Sequence, residues 1–416
     1  MKLFYALMAA QVILTVLPGT VAAKDAPDPL SLEADPPTPN VAAPASRAFL
    51  EFAGGTFRER GATGSTRGFT RVTADARVSG KLGNSWRAIL SARIDALDPN
   101  DTRIDSPALS LREAYLGWQD ASGESVIEFG RVVVRDGPGY GYNPTDFFRD
   151  NALRAINTQD PVSLRESRLG SVMLRAQRLW NGGSLAVSLS PKLATSASAR
   201  GLSLDLGATN SRNRGLLALS TTWNERISTQ LLLYREESLG WSFGTSATAL
   251  LGEAVVVHAE MSDGRAPGTF AGSETSGTRA AVGLTLTTPT KLSVTAEYHY
   301  NASALDRKGW SQSLVTGTPP LPVYYGASFA LQDSGSRHAW LLYAVQRDFI
   351  VKNLEIRGIY RNNRSDSSSM RWLEVRYRLT GADIGMQYLR NSGTPGSEFG
   401  LPSSRSSASV FGTVYF

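Results

Sequence analysis

From Arg47 to Phe416, apolar and polar residues alternate with a period of two in one segment after another. Residues 70–78 set Val72, Ala74, Ala76 and Val78 against Arg71, Thr73, Asp75 and Arg77. Residues 292–300 set Leu292, Val294, Ala296, Tyr298 and Tyr300 against Ser293, Thr295, Glu297 and His299. Residues 371–379 set Leu373, Val375, Tyr377 and Leu379 against Trp372, Glu374, Arg376 and Arg378. Successive side chains of a strand point to opposite faces, so each run predicts a strand with one apolar and one polar side. Most runs last about nine to thirteen residues, which is long for soluble strands and suits a tilted bilayer crossing. Two segments, 125–134 and 168–179, carry apolar residues on both faces.

Eighteen such strands can be placed between 47–57 and 405–416, although 16 is also compatible with the pattern. Connections after even-numbered strands are short, such as Lys81–Asn84, Asn181-Gly182 and Thr380. Most connections after odd-numbered strands are longer, reaching 30 residues at 136–165 and 35 at 302–336; Glu237–Leu239 is the exception. Short turns at one end, long loops at the other and both termini on the short-turn side describe a closed antiparallel membrane barrel. Segment 201–209 looks strand-like but would make the count odd, so it is placed in a loop.

The N-terminal segments read differently. Lys2, an apolar run Leu3–Leu17, the Pro18-Gly19 break and the small residues Val21, Ala22 and Ala23 predict a secretory signal peptide over 1–23. Residues 24–46 hold six prolines and are expected to be an extended periplasmic leader. The barrel is then 47–416. Composition narrows the alternatives. There is no Cys and there are three His, so neither a disulfide framework nor a Cys-based metal site is possible; no metal and no cofactor are expected. No internal stretch reaches the roughly 18 apolar residues of a membrane helix. Lys plus Arg is 43 against 37 Asp plus Glu, and Arg dominates the cations. Because the charge is spread along strands of an exported chain, no nucleic-acid partner is expected.

If the apolar face meets lipid, the opposite face lines a lumen. That face carries Arg71, Asp75, Arg77, Arg87, Arg93, Asp95, Glu113, Glu128, His258, Glu260, Glu297, His299, Arg357, Arg361, Glu374, Arg376 and Arg378. Arginines and carboxylates on neighbouring strands can pair and stiffen the wall, or leave a positive field that favours anions or acidic sugars. Loop 136–165 reads Asp-Gly-Pro-Gly-Tyr-Gly-Tyr-Asn-Pro-Thr-Asp-Phe-Phe-Arg-Asp at its start. Asn143 fits a helix N-cap, Pro144 the first helical position and Asp146 the third, predicting a short helix over 144–155. Phe147 and Phe148 ask for burial, and Arg149, Asp150 and Arg154 offer both signs of charge, so the loop is expected to fold inward as a constriction.

The mature chain resembles the porin-type outer-membrane barrels of bacteria. In that family the corresponding loop enters the lumen and narrows it. The terminal Phe416 resembles the assembly signal read by the barrel-assembly machinery. The resemblance also implies contact with outer-membrane lipid and lipopolysaccharide. Around Gly130-Arg131, the Asn143-Pro144-Thr145-Asp146 turn and Leu164-Arg165-Glu166, the chain is also similar to porin-like and polysaccharide-export barrels. The expected function is therefore a channel for a small polar solute or acidic sugar. An exporter of acidic polysaccharide and a barrel-embedded hydrolase built on His258/Glu260 or His299/Glu297 are the alternatives; no Gly-x-Ser-x-Gly nucleophile motif occurs.

Overall fold

The computed structural model describes residues 46–61, 64–99, 104–156, 158–267 and 274–416. The signal peptide and all of the leader but Ser46 lie outside these residues. The strands are β1 (Ser46–Glu59), β2 (Thr66–Leu82), β3 (Trp86–Asp98), β4 (Ala108–Gln119), β5 (Ser125–Val132), β6 (Ser171–Trp180) and β7 (Gly183–Ser190). They continue as β8 (Arg214–Asn224), β9 (Ile227–Glu236), β10 (Gly240–Leu251), β11 (Val255–Pro267), β12 (Glu274–Ser276) and β13 (Arg279–Thr287). The last six are β14 (Leu292–Asn301), β15 (His338–Gln346), β16 (Leu354–Asn363), β17 (Ser369–Leu379), β18 (Ala382–Ser392) and β19 (Ser404–Tyr415).

Every neighbour is antiparallel, and β1 pairs with both β2 and β19, so the sheet closes. The three-residue β12 and then β13 pair with the same strand, β11, and together form one stave. The wall thus has 18 staves, the number counted from the alternation, and closure leaves no sheet edge to satisfy in a bilayer. No helix among the described residues is long and apolar enough to cross a membrane.

The outer face is apolar and open: Phe129, Leu231, Phe243, Leu284, Met386 and Val410 are all exposed there. Short turns gather at one end. At Asn181-Gly182 the hairpin is two residues long, and Gly182 takes φ +79°, a conformation that costs glycine little. The first and last described residues, Ser46 and Phe416, share this end, where the Phe416 N–H donates to the Ala48 carbonyl at 2.9 Å. Segment 201–209 is loop with one turn of helix, α2 (Leu206–Thr209), as its placement outside the wall required.

The helix expected over 144–155 is absent. Residues 143–152 instead form successive four-residue turns, with Asp146 N–H to Asn143 O, Arg149 N–H to Asp146 O and Ala152 N–H to Arg149 O. The helix of this loop is α1 (Pro161–Glu166), capped by Asp160, whose Oδ2 accepts the Ser163 N–H at 3.1 Å. Asn143 does not cap because the Thr145 N–H that its Oδ1 would accept goes to Glu260 Oε2, while its Nδ2 donates to Gly139 O and to Glu260 Oε1.

Candidate functional site

The loop between β5 and β6 crosses the inside of the barrel. Its far contacts fall on β11 and β14–β16. From β5, β14 lies eight staves along an 18-stave ring, close to diametrically opposite. The contact is made by backbone. Glu260 on β11 accepts from Gly139 N–H at 2.8 Å, from Thr145 N–H at 3.1 Å and from Thr145 Oγ1 at 2.5 Å. Glu297 on β14 accepts from Tyr140 N–H at 2.8 Å and Gly141 N–H at 2.7 Å. The two histidines complete the cradle: His258 Nε2 lies 3.0 Å from Glu297 Oε1 and His299 Nε2 lies 2.7 Å from Oε2. All four wall residues are buried.

Glycine makes this approach possible. A Cβ on Gly137 would sit 2.2 Å from Glu260 Oε2, and one on Gly139 would sit 2.4 Å from Oε1. A Cβ on Gly141 would meet Leu341 at 2.7 Å. Hydrogen bonds to an ionised acceptor are about twice as strong as neutral ones, and two carboxylates collect five of them here from one short segment.

Side chains of the same loop fill both inner walls. Phe147 stacks on Tyr234 of β9 at 4.6 Å, Phe148 meets the same ring edge-on, and Arg214 lies over Phe148. Tyr140 packs towards Tyr343 on the other side, in a cluster with Leu341, Ile359 and Trp372. Pro144 lines a small cavity with Phe147, Tyr234 and Glu236. Asp160 ties the loop's far end to β15 and β16 by accepting from Tyr343 Oη at 2.7 Å and Arg357 Nη1 at 3.2 Å.

Two further loops hold the crossing segment. The 302–337 loop carries α3 (Arg307–Thr316) and α4 (Leu321–Ala330), with Asp333 after them. Asp333 accepts from Tyr142 Oη and Arg279 Nε and lies 3.6 Å from Arg149. Burial alone would raise the Asp333 carboxyl, but Arg279 and Arg149 hold it below its ordinary value. Arg149 also donates to Asn143 O and to Gln332 O at 3.1 Å. In the 191–213 loop, Asp205 pairs with Arg154, and Asp146 pairs with Arg168 beside β6. Asp136 and Asp150 form no ion pair among the described residues. Burial pushes the Asp136 carboxyl up to about 7, with nearby Asp146 adding to it. Burial likewise pushes Asp150 up to about 6 against the pull of Arg149.

The wall the loop leaves uncovered is charged. Arg71 pairs with Glu51 at 2.5 Å, Arg77 with Glu113 at 3.3 Å and Arg93 with Asp95 at 3.0 Å. Arg112 pairs with Asp75 at 2.6 Å. Glu128 takes Arg175 at 2.9 Å and, more loosely, Arg87 at 3.7 Å; Arg87 is 51% exposed. Across the seam, at the edge of the loop's footprint, Arg357 is shared between Asp160 of the loop and Glu355, Arg378 also meets Glu355, and Arg376 sits between Glu374 and Asp383. Arg361 makes no ion pair among the described residues and lies where its charge acts on Glu398. The sequence pattern did not single out Glu51, Arg112, Glu355, Asp383 or Asp160. Alternation could have supplied Glu51, Glu355 and Asp383. Arg112 sits at a register shift between β3 and β4, where a bulge turns two consecutive residues inward.

No protein-family model matches the chain, and no curated protein matches it in sequence. Solved structures do match. OpdL of Pseudomonas aeruginosa superposes with a TM-score of 0.55 at 11% identity, covering 89% of this chain and 98% of that one. OccAB1 of Acinetobacter baumannii gives 0.54 at 10% identity, covering 89% and 96%. The outer membrane protein OpdK of P. aeruginosa gives 0.53 at 9% identity, covering 89% and 98%. The fold is that of a porin-type outer-membrane barrel. At these identities the likeness concerns the fold, and this porin-type barrel's wall and loop chemistry stand on the contacts above.

Proposed function

We propose that the protein is an outer-membrane channel for small polar or anionic solutes. The observation that carries this reading is the loop that crosses from β5/β6 to the opposite wall and confines any path to the arginine- and carboxylate-lined side. Arg71, Arg77, Arg87, Arg93, Arg357, Arg376 and Arg378 are its selectivity residues, with Asp75, Asp95, Glu113, Glu128 and Glu374 fixing them. Pairing holds each guanidinium in place on the wall, and Arg87, half exposed, presents its charge to a passing anion. In this reading Pro144, Phe147, Phe148, Arg149 and Arg154 shape the constriction, and the long-loop end faces outward. The last strand and Phe416 serve the assembly machinery, and lipid covers the apolar belt.

The histidine–glutamate groups support a structural role better than hydrolysis. Loop N–H groups and the two histidines occupy both oxygens of Glu297, and loop N–H groups, the Asn143 amide and the Thr145 hydroxyl occupy both of Glu260, so these acids serve to hold the loop. No contact favours an exporter over a channel. Planar-bilayer recording in a salt gradient tests the proposal. The expected result is discrete channels with an anion-favouring reversal potential; a refolded barrel that never conducts would refute it.

A further inference from the structure

At the short-turn end, the inner face of β1–β3 sets like charges against each other. Arg47 lies directly opposite Arg77 in the β1/β2 ladder, and Lys81 lies directly opposite Arg87 in the β2/β3 ladder. Cross-strand partners share a face, and odd-numbered residues of β1 and β2 share theirs with the Glu51–Arg71 pair, so all four cations line the lumen. Arg47, Lys81 and Arg87 are exposed. Like charges directly opposite destabilise a sheet, and here two such pairs stand four residues apart on β2.

The acids of the neighbouring strands are already engaged. Glu113 pairs with Arg77 at 3.3 Å, and Glu128 divides itself between Arg175 at 2.9 Å and Arg87 at 3.7 Å. Asp120 and Glu124, at the β4–β5 turn, pair with Arg178. On the other side of β1, Asp383 pairs with Arg376 and accepts from Tyr415 Oη at 2.9 Å. Arg47 and Lys81 form no ion pair among the described residues.

The chain that enters β1 at this end carries the opposite charge. Residues 24–45 hold Asp25, Asp28, Glu33 and Asp35 against Lys24 alone, and 36–45 are uncharged. Asp35 precedes Ser46 by 46 − 35 = 11 residues, about 35 Å of chain at full extension. Arg87 is two staves from β1, about 10 Å at the ordinary strand spacing. A tether of this length holds the acids beside the cations at an effective concentration on the order of millimolar.

We propose that the acidic segment 24–35 docks on this cationic face, its carboxylates meeting Arg47, Arg77, Lys81 and Arg87 at the short-turn mouth. The segment is then a built-in counter-ion: it offsets the like-charge cost within the ladder and competes with anions for the same cations. Pro27 and Pro29 lack the N–H that would add a strand to the wall, so side-chain charge carries the contact. The inference needs residues 24–45 to stay on the exported chain. It does not need the barrel to conduct, so it stands or falls separately from the channel.

The test uses the protein purified after export, with the leader intact. The chain has no Cys, so Ala34→Cys and Asn84→Cys place one spin label in the leader and one in the β2–β3 turn. Pulsed electron paramagnetic resonance then reads the distance between them. A short, narrow distance population is expected at low salt. Its share should fall at least about fivefold between about 0.05 and 1 M salt, where the Debye length shrinks to about 3 Å. D25N/D28N/E33Q/D35N and R47Q/K81Q should each lower that share at low salt. A distribution as broad at low salt as at high salt would overturn the proposal. A narrow distribution that survives both salt and the charge variants would overturn it in favour of apolar docking. The same short distance between singly labelled chains after mixing would overturn it in favour of a contact between copies. Should R47Q/K81Q fail to fold, the salt series on the otherwise unaltered chain still decides.

Discussion

Two stretches of the same inner wall use carboxylates in opposite ways. On β1–β4 and β16–β18, carboxylates meet guanidiniums from the same strand or from one or two strands away, and the wall satisfies itself. On β11 and β14, Glu260 and Glu297 pair with no wall arginine among the described residues and are satisfied by backbone N–H groups brought from across the barrel. A buried carboxylate without a partner is costly. The chain therefore docks its longest inward loop where the wall left its acids unpaired, and leaves a charged path where it did not.

The comparison can be broken most strongly at the docking side. Glu260→Gln with Glu297→Gln should remove about 3 kcal/mol or more from loop attachment, since bonds to a charged acceptor are each worth roughly 1.5–3 kcal/mol. The expected outcome is rapid current fluctuation in single channels and new protease cuts within 137–156, with the barrel still folded. Quiet channels and an uncut loop would mean that the aromatic contacts alone hold it. On the charged side, replacing Arg71, Arg77, Arg87 and Arg93 with Gln should lower the anion-over-cation permeability ratio by roughly two- to fivefold, because their fields add over two adjacent strands. Arg87, the most exposed of the four, should account for more of the change than any other single replacement. An unmoved reversal potential would leave these pairs as wall stiffeners only.

The acids buried within the loop give a smaller, graded effect. Asp136, with its carboxyl pushed up to about 7, binds protons more tightly in the packed loop than in a released one. Packing should therefore weaken as pH rises from about 4 towards 7 and be weakest above that, with Asp150 acting in the same direction up to about 6. Current fluctuation should grow between pH 5 and about 8, and Asp136→Asn should flatten that dependence. A parent protein whose noise is independent of pH would contradict this. Phe147→Ala is the mildest change. Losing the stack on Tyr234 should cost about 1 kcal/mol beyond the burial lost, visible as a modest rise in the same fluctuations.

The fold was legible because barrel strands declare themselves one by one. Alternation and turn parity placed 18 staves within a few residues of where they lie, and the poorly alternating segments 125–134 and 168–179 had a physical cause. Met173 on β6 and Val132 on β5 are buried against Phe148, so this part of the inner wall is apolar because the loop covers it. The inward loop was legible from its aromatics and length. Its helix was not, because capping rules weigh Asn143, Pro144 and Asp146 locally, whereas Glu260, more than a hundred residues away, takes the Thr145 N–H that an N-cap would have used. Asp160-Pro161 carried the same cap signature and did start a helix, since no wall carboxylate competes there. Arg112 escaped alternation because a bulge breaks the period that alternation relies on.

The account rests on a loop that crosses the barrel and narrows a conducting path. Single-channel current of a variant lacking about 138–158, rejoined by a Gly-rich link, measures this most directly. No ladder hydrogen bond of the wall is removed, so the barrel should fold, and a wider lumen should carry at least about twice the parent current and admit larger sugars. A variant that folds and conducts like the parent would contradict the constriction while leaving the barrel intact.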